Sequence, residues 1–104
     1  MNDPTDTREH DRRKADAELK ARLARETEDA DVKWLMSCGQ GRRIVWRWLS
    51  QAGVFRLSFS TDALAMAFAE GNRNAGLALL SQVMQLCPNE YSEMVRESKN
   101  DAAD

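Results

Sequence analysis

Apolar side chains are thinly spread over the first thirty residues and concentrated after Asp31, and this asymmetry confines any core to the rest of the chain. Residues 1–30 hold seven basic and nine acidic side chains, and their only apolar stripe is Ala15, Leu19 and Leu23. A stripe that narrow does not support a stable coiled coil. With 104 residues in all, there is room for one small domain. The division expected is a charged helical arm over residues 1–30, a helical domain over 31–98 and a polar, loose tail over 99–104.

Within the arm, Asp3-Pro4 suits a helix start, and Glu9 with Arg13, Asp16 with Lys20 and Glu18 with Arg22 place an acid four residues before a base. A charged helix to about residue 28 follows. It is either a solvated, fraying helix or one that becomes ordered on an assembly surface. Asp29 or Asp31 can cap a short second helix through Trp34, Leu35 and Cys38 that ends at Gly39, with Gln40-Gly41 as the joint to the next. That next helix spans about 41–52 and stops at Gly53.

Phe55, Leu57 and Phe59 alternate as a strand would, but a lone strand has no partner for its ladder hydrogen bonds. Residues 54–60 are therefore expected to be an extended connection whose phenylalanines anchor in a helical core. Ser60-Thr61-Asp62 caps an alanine-rich helix that opens with the Leu64/Phe68 pair. The pattern carries on through Gly71 and Gly76 to Leu77, Leu80 and Met84, favouring one continuous or kinked helix with glycines at close contacts. Cys87-Pro88 then ends it and starts a last helix with Tyr91, Met94 and Val95 facing inward. The fold expected is all-α, a small bundle of four to five helices preceded by the arm.

The stretch Gly39 to Leu49 reads Gly-Gln-Gly-Arg-Arg-Ile-Val-Trp-Arg-Trp-Leu. At about 100° per residue, Ile44, Val45, Trp48, Leu49 and Ala52 share an arc of roughly 140° suited to burial. Trp46 lies about 60° beyond Leu49 on the same projection, between Arg42 and Arg43. Trp34 and Trp48 are thus expected in the core. Trp46, with Arg42, Arg43 and Arg47, forms the candidate partner-binding face, since tryptophan and arginine are enriched at binding hot spots. Two readings of Gly39–Arg43 stay open. The glycines form a tight helix joint with the arginines paired to nearby acids, or the free N–H groups and guanidiniums hold a carboxylate or phosphate of a partner.

Residues 31–61 carry five basic side chains and one acidic, residues 62–104 three basic and seven acidic. A basic island beside an acidic half suits contacts with acidic neighbours or with nucleic acid, although a pI near 5.4 argues against a dedicated nucleic-acid binder. Cys38 and Cys87 lie far apart among apolar residues and are expected as free thiols in a reducing compartment. His10 is the one histidine, so a zinc tetrahedron lacks ligands. No Ser/His or Cys/His arrangement occurs in the foldable part, and no catalytic, cofactor-binding or metal-binding residue is assigned; the expectation is a protein that is not an enzyme. No apolar leader and no span of bilayer length stand in the sequence, so no membrane contact is expected.

The residues Trp34-Leu35-Met36, Gln40-Gly41-Arg42-Arg43, Trp46-Arg47-Trp48-Leu49, Ala52-Gly53-Val54-Phe55, Glu70 to Leu77, Leu79-Leu80 and Cys87 to Tyr91 resemble a family of small proteins from short-tailed bacteriophages, named after a Bordetella phage product. The resemblance runs from about Asp31 to Glu97 and omits the arm. It implies a phage protein encoded among head and portal genes, without catalytic or cofactor residues to carry over. The function expected is a structural or assembly protein of the phage particle, in contact with portal or head proteins or with its own copies. Its place is then the host cytoplasm during assembly and afterwards the virion. The alternatives are a nucleic-acid-binding accessory protein using the Trp/Arg helix, and an inhibitor of a host factor.

Overall fold

A computed structural model describes residues 4–56 and 60–103, with side chains from residue 7 to residue 101. Among these the chain forms four helices and no strand: α1 (Pro4–Met36), α2 (Gly39–Gln51), α3 (Ala63–Leu86) and α4 (Pro88–Ala103). The all-α expectation holds. The chain divides into two compact units, Met1–Asp31 and Val32–Asp104.

The first unit is helical from Pro4 and has no buried residue among those described; Leu19 and Leu23 are about half exposed. Glu9 and Arg13 form the expected pair at 2.8 Å, and the Thr27 hydroxyl donates to the Leu23 carbonyl at 2.9 Å. Asp3 lies outside the described residues. The break expected between residues 28 and 31 is absent, because α1 runs unbroken to Met36. No glycine or proline interrupts residues 5–38, and an aspartate inside a helix costs only a few tenths of a kcal/mol, roughly, against a better helix former.

In the second unit the core is Met36 from the end of α1, Val45 and Leu49 from α2, Val54 from the following turn, Val83 from α3, Cys87 between helices and Met94 from α4. Leu77, Leu80 and Tyr91 pack against it half-buried. Of the stripe read on α3, Met84 is instead exposed and Val83 takes the buried place.

The joint between α1 and α2 lies at Ser37-Cys38, three residues earlier than the sequence suggests. Cys38 adopts an extended conformation and caps α2, its Sγ accepting from the Gly41 amide at 3.4 Å. A Cβ on Gly41 would fall 1.7 Å from the Leu35 carbonyl oxygen, so only glycine fits where the two helices turn. At the other end of α2, the Gly53 amide donates to Ser50 O at 3.1 Å and the Val54 amide to Leu49 O at 3.2 Å. Gly53 has φ 79°. This is the Schellman pattern, with buried Val54 as the apolar residue that follows the left-handed glycine.

Asp62 caps α3 as expected, Oδ1 accepting from Leu64 N at 3.0 Å. The helix is continuous through Gly71 and Gly76. Gly76 is the close contact: a Cβ there would lie 2.5 Å from Val54 Cγ2 and 2.7 Å from Ala52 Cβ. Pro88 opens α4, whose helix continues to Ala103, so the tail expected to be loose from Lys99 is helical over its described residues. Both cysteines are free thiols, Cys38 exposed and Cys87 buried. Burial and the nearby Glu90 carboxylate push the Cys87 thiol above its ordinary value, partly offset by Lys33.

Candidate functional site

All four residues singled out in the sequence line one cleft. Arg42, Arg43, Trp46 and Arg47 of α2 form one wall, and Met94, Glu97, Ser98 and Asp101 of α4 form the other, around about 200 Å³. The spacing explains the walls, since residues i, i+1, i+4 and i+5 on α2 and i, i+3, i+4 and i+7 on α4 each make one helix face.

The four have different roles. Arg42 is largely buried and pairs with Glu97 at 2.8 Å, while its Nη1 donates to the Met36 carbonyl at 3.0 Å. One guanidinium thereby ties the end of α1, the start of α2 and the far end of α4 together. Arg42 fulfils the reading in which an arginine pairs with a nearby acid. Arg43 and Arg47 are exposed. Trp46 is half-buried and its ring stacks on Phe55, centroids 4.8 Å apart and 28° between planes. Phe55 therefore anchors the connection by a surface stack, about half exposed, and not by entering the core; Leu57 and Phe59 lie outside the described residues.

The remaining tryptophans are a correction. Trp34 is 72% and Trp48 53% exposed, so neither is core. On α2 the fully buried line is Gly41, Val45 and Leu49, which rotates the buried face toward Arg42 and Trp46 and away from Ile44 and Trp48. The physical reason is α4. It packs on the Arg42 side, where Glu97 satisfies the guanidinium and Met94 adds apolar contact. Periodicity marks which residues are apolar but not on which side the covering helix lies.

Glu97, Ser98, Asp101 and Met94 were not singled out as cleft residues from sequence. Their signal is the spacing of Met94, Glu97 and Asp101 on one face of α4, with acids opposite in sign to the arginines of α2. The Ser98 hydroxyl donates to Val95 O at 2.7 Å. Next to the cleft, Arg96 donates to both carboxylate oxygens of Glu93, the Nε contact at 3.2 Å, and holds that carboxyl below its ordinary value. A volume near 200 Å³ is below the roughly 300–1,000 Å³ of small-molecule sites. It admits one or two side chains of a partner, with an aromatic edge and two exposed guanidiniums to meet them.

No group of three or more metal-ligating side chains occurs among the described residues, and none of their helices is long and apolar enough to cross a membrane. No curated protein and no solved structure is similar to the chain at a significant level. A family model does match, over residues 32–96, which takes in the end of α1, all of α2 and α3, and α4 as far as Arg96. On that match the chain belongs to the Bbp19-like phage protein family.

Proposed function

We propose that the protein is a structural or assembly component of the phage particle, attached to the head or portal by protein contacts through the α2/α4 cleft. The observation that carries this reading is the cleft itself: Arg43 and Arg47 stand exposed beside the edge of Trp46 in a space of side-chain size. An acidic or aromatic side chain of a partner fits that chemistry, with the arginines steering approach and the ring supplying the apolar contact. Membership of a phage family supplies the setting. Many copies attached to a symmetric assembly would convert a small contact into firm retention.

A nucleic-acid role is the weaker reading. Arg42 is already committed to Glu97, and Glu97 and Asp101 place negative charge on the opposite wall, where a phosphate backbone would run. A gel shift at low salt that detects strong, salt-sensitive binding of DNA or RNA would reverse that preference. The direct test is mass spectrometry of purified virions and of assembly precursors. The protein is expected in one or both, at the host-cytoplasmic assembly stage or in the finished particle, and absence from both overturns the proposal. Arg43→Glu with Arg47→Glu is expected to abolish incorporation while the protein stays folded, because both side chains are exposed.

A further inference from the structure

The outward face of α3 is dominated by exposed apolar residues. Seven consecutive apolar residues, Ala63 to Ala69, open the helix, and of its 24 residues only Glu70 and Arg73 are charged. Leu64 is 80% and Phe68 73% exposed. Ala63, Ala67, Gly71 and Ala78 are exposed too, and lie about 140–180° around the helix from Gly76, which faces the core. A Cβ on Gly71 would meet nothing within 4 Å. Arg73 lies about 60° from Gly76, and its Nε donates to the Arg56 carbonyl at 3.1 Å; half-buried Glu70, about 120° from Gly76, borders the outward face beside Ala63. The outward face from Ala63 to Ala78 therefore holds one exposed polar residue, Asn74, and no charge except Glu70 at its border, in a chain of which 31% is charged.

We propose that this face is a self-association surface on which two copies of the chain pair their α3 helices antiparallel about a two-fold axis near residues 72–73. Two properties favour a second copy. The face tapers, with large Leu64 and Phe68 at its N-terminal end and Ala75 and Ala78 toward the other. An antiparallel pair lays each large end over the partner's small end, whereas a parallel pair sets large against large and leaves a gap beside it. The extent also suits a pair. Residues 63–78 run about 24 Å along the axis at 1.5 Å per residue. Removing Leu64, Phe68 and the alanine ridge from water on both copies buries on the order of 1,000 Å², the lower bound for a specific interface. A reversible dimer is the outcome that area supports. It uses a different helix from the particle-binding cleft, so either proposal can fail without the other.

Light scattering on the full chain over a concentration series tests this. A mass rising from monomer to dimer is expected, and a monomer throughout overturns the proposal. Leu64→Glu with Phe68→Glu is expected to weaken association by at least roughly a hundredfold, since it places charge in an apolar contact. Helical circular dichroism should stay unchanged because neither side chain is buried. Association that survives the double variant overturns the assignment of this face. For the orientation, Ala67→Cys and Ala78→Cys are each made in a Cys38→Ser background. Disulfide-linked dimer should form from the mixture well above either variant alone; self-linking of each variant instead overturns the antiparallel arrangement.

Discussion

The two halves of α3 share a backbone and differ in what covers them. From Gly76 onward the helix is set against the turn after α2 and against α4, with Val83 fully buried and Leu77, Leu79 and Leu80 half-buried. From Ala63 to Phe68 every described residue is exposed, although this segment has no charge at all. An entirely apolar segment is thus left uncovered. Burial in a domain of this size follows from where α2 and α4 reach, and hydrophobicity alone only says which surface would gain by being covered.

The sharpest way to break this contrast is to make the same substitution in both halves. Gly76→Ala must displace Val54 or Ala52 and is expected to cost about 3 kcal/mol by overpacking, read as a fall in urea midpoint. Val83→Ala, at a site with no exposure, is expected to cost about 2 kcal/mol through lost burial and a residual cavity. Gly71→Ala should have the opposite sign, stabilising by about 0.5–1 kcal/mol, because an open position inside a helix gains from losing the glycine's freedom. Should Gly71→Ala and Gly76→Ala both destabilise, the difference between the halves is not one of covering. Leu64→Ala, measured where the protein is dilute, should change stability by less than about 0.5 kcal/mol.

The smallest effect lies on the surface of α4. Arg96 hydrogen-bonds Glu93 and depresses its pKa, so the pair contributes stability above the unfolded carboxyl's pKa, and this contribution is lost as pH falls through the depressed folded value. Glu93→Gln is expected to lower the melting temperature slightly at neutral pH, where the pair is intact, and to leave it unchanged once pH has fallen below the depressed carboxyl, so that the acid limb below about pH 4.3 becomes slightly shallower.

Much of this was legible in the sequence. Asp62, Pro88 and Gly53 act locally, through a cap, a missing amide and a left-handed φ, and each did what its residue type dictates. Four residues of the cleft were also readable, because Arg42, Arg43, Trp46 and Arg47 are neighbours on one helix. What could not be read depends on distant chain. Trp34 and Trp48 have core chemistry, but nothing among the described residues covers them enough to bury them. Trp46 gains its stacking partner from the turn after α2, whose alternating pattern does not say what Phe55 meets, and Arg42 its acid from α4. Cys38 was placed near a helix end, yet as the capping acceptor it is an unusual choice beside serine or aspartate, and only the geometry identifies it.

The Arg42–Glu97 contact joins residues 55 positions apart, and Met94, three residues earlier, completes the core. During synthesis, α1 and α2 emerge long before α4 and have nothing to cover Val45 and Leu49 from that side. The nascent chain must hold a partly open apolar surface until α4 clears the ribosome. Settling of α4 then completes the cover over Val45 and Leu49, and opening of this core is expected to begin where that helix releases Arg42.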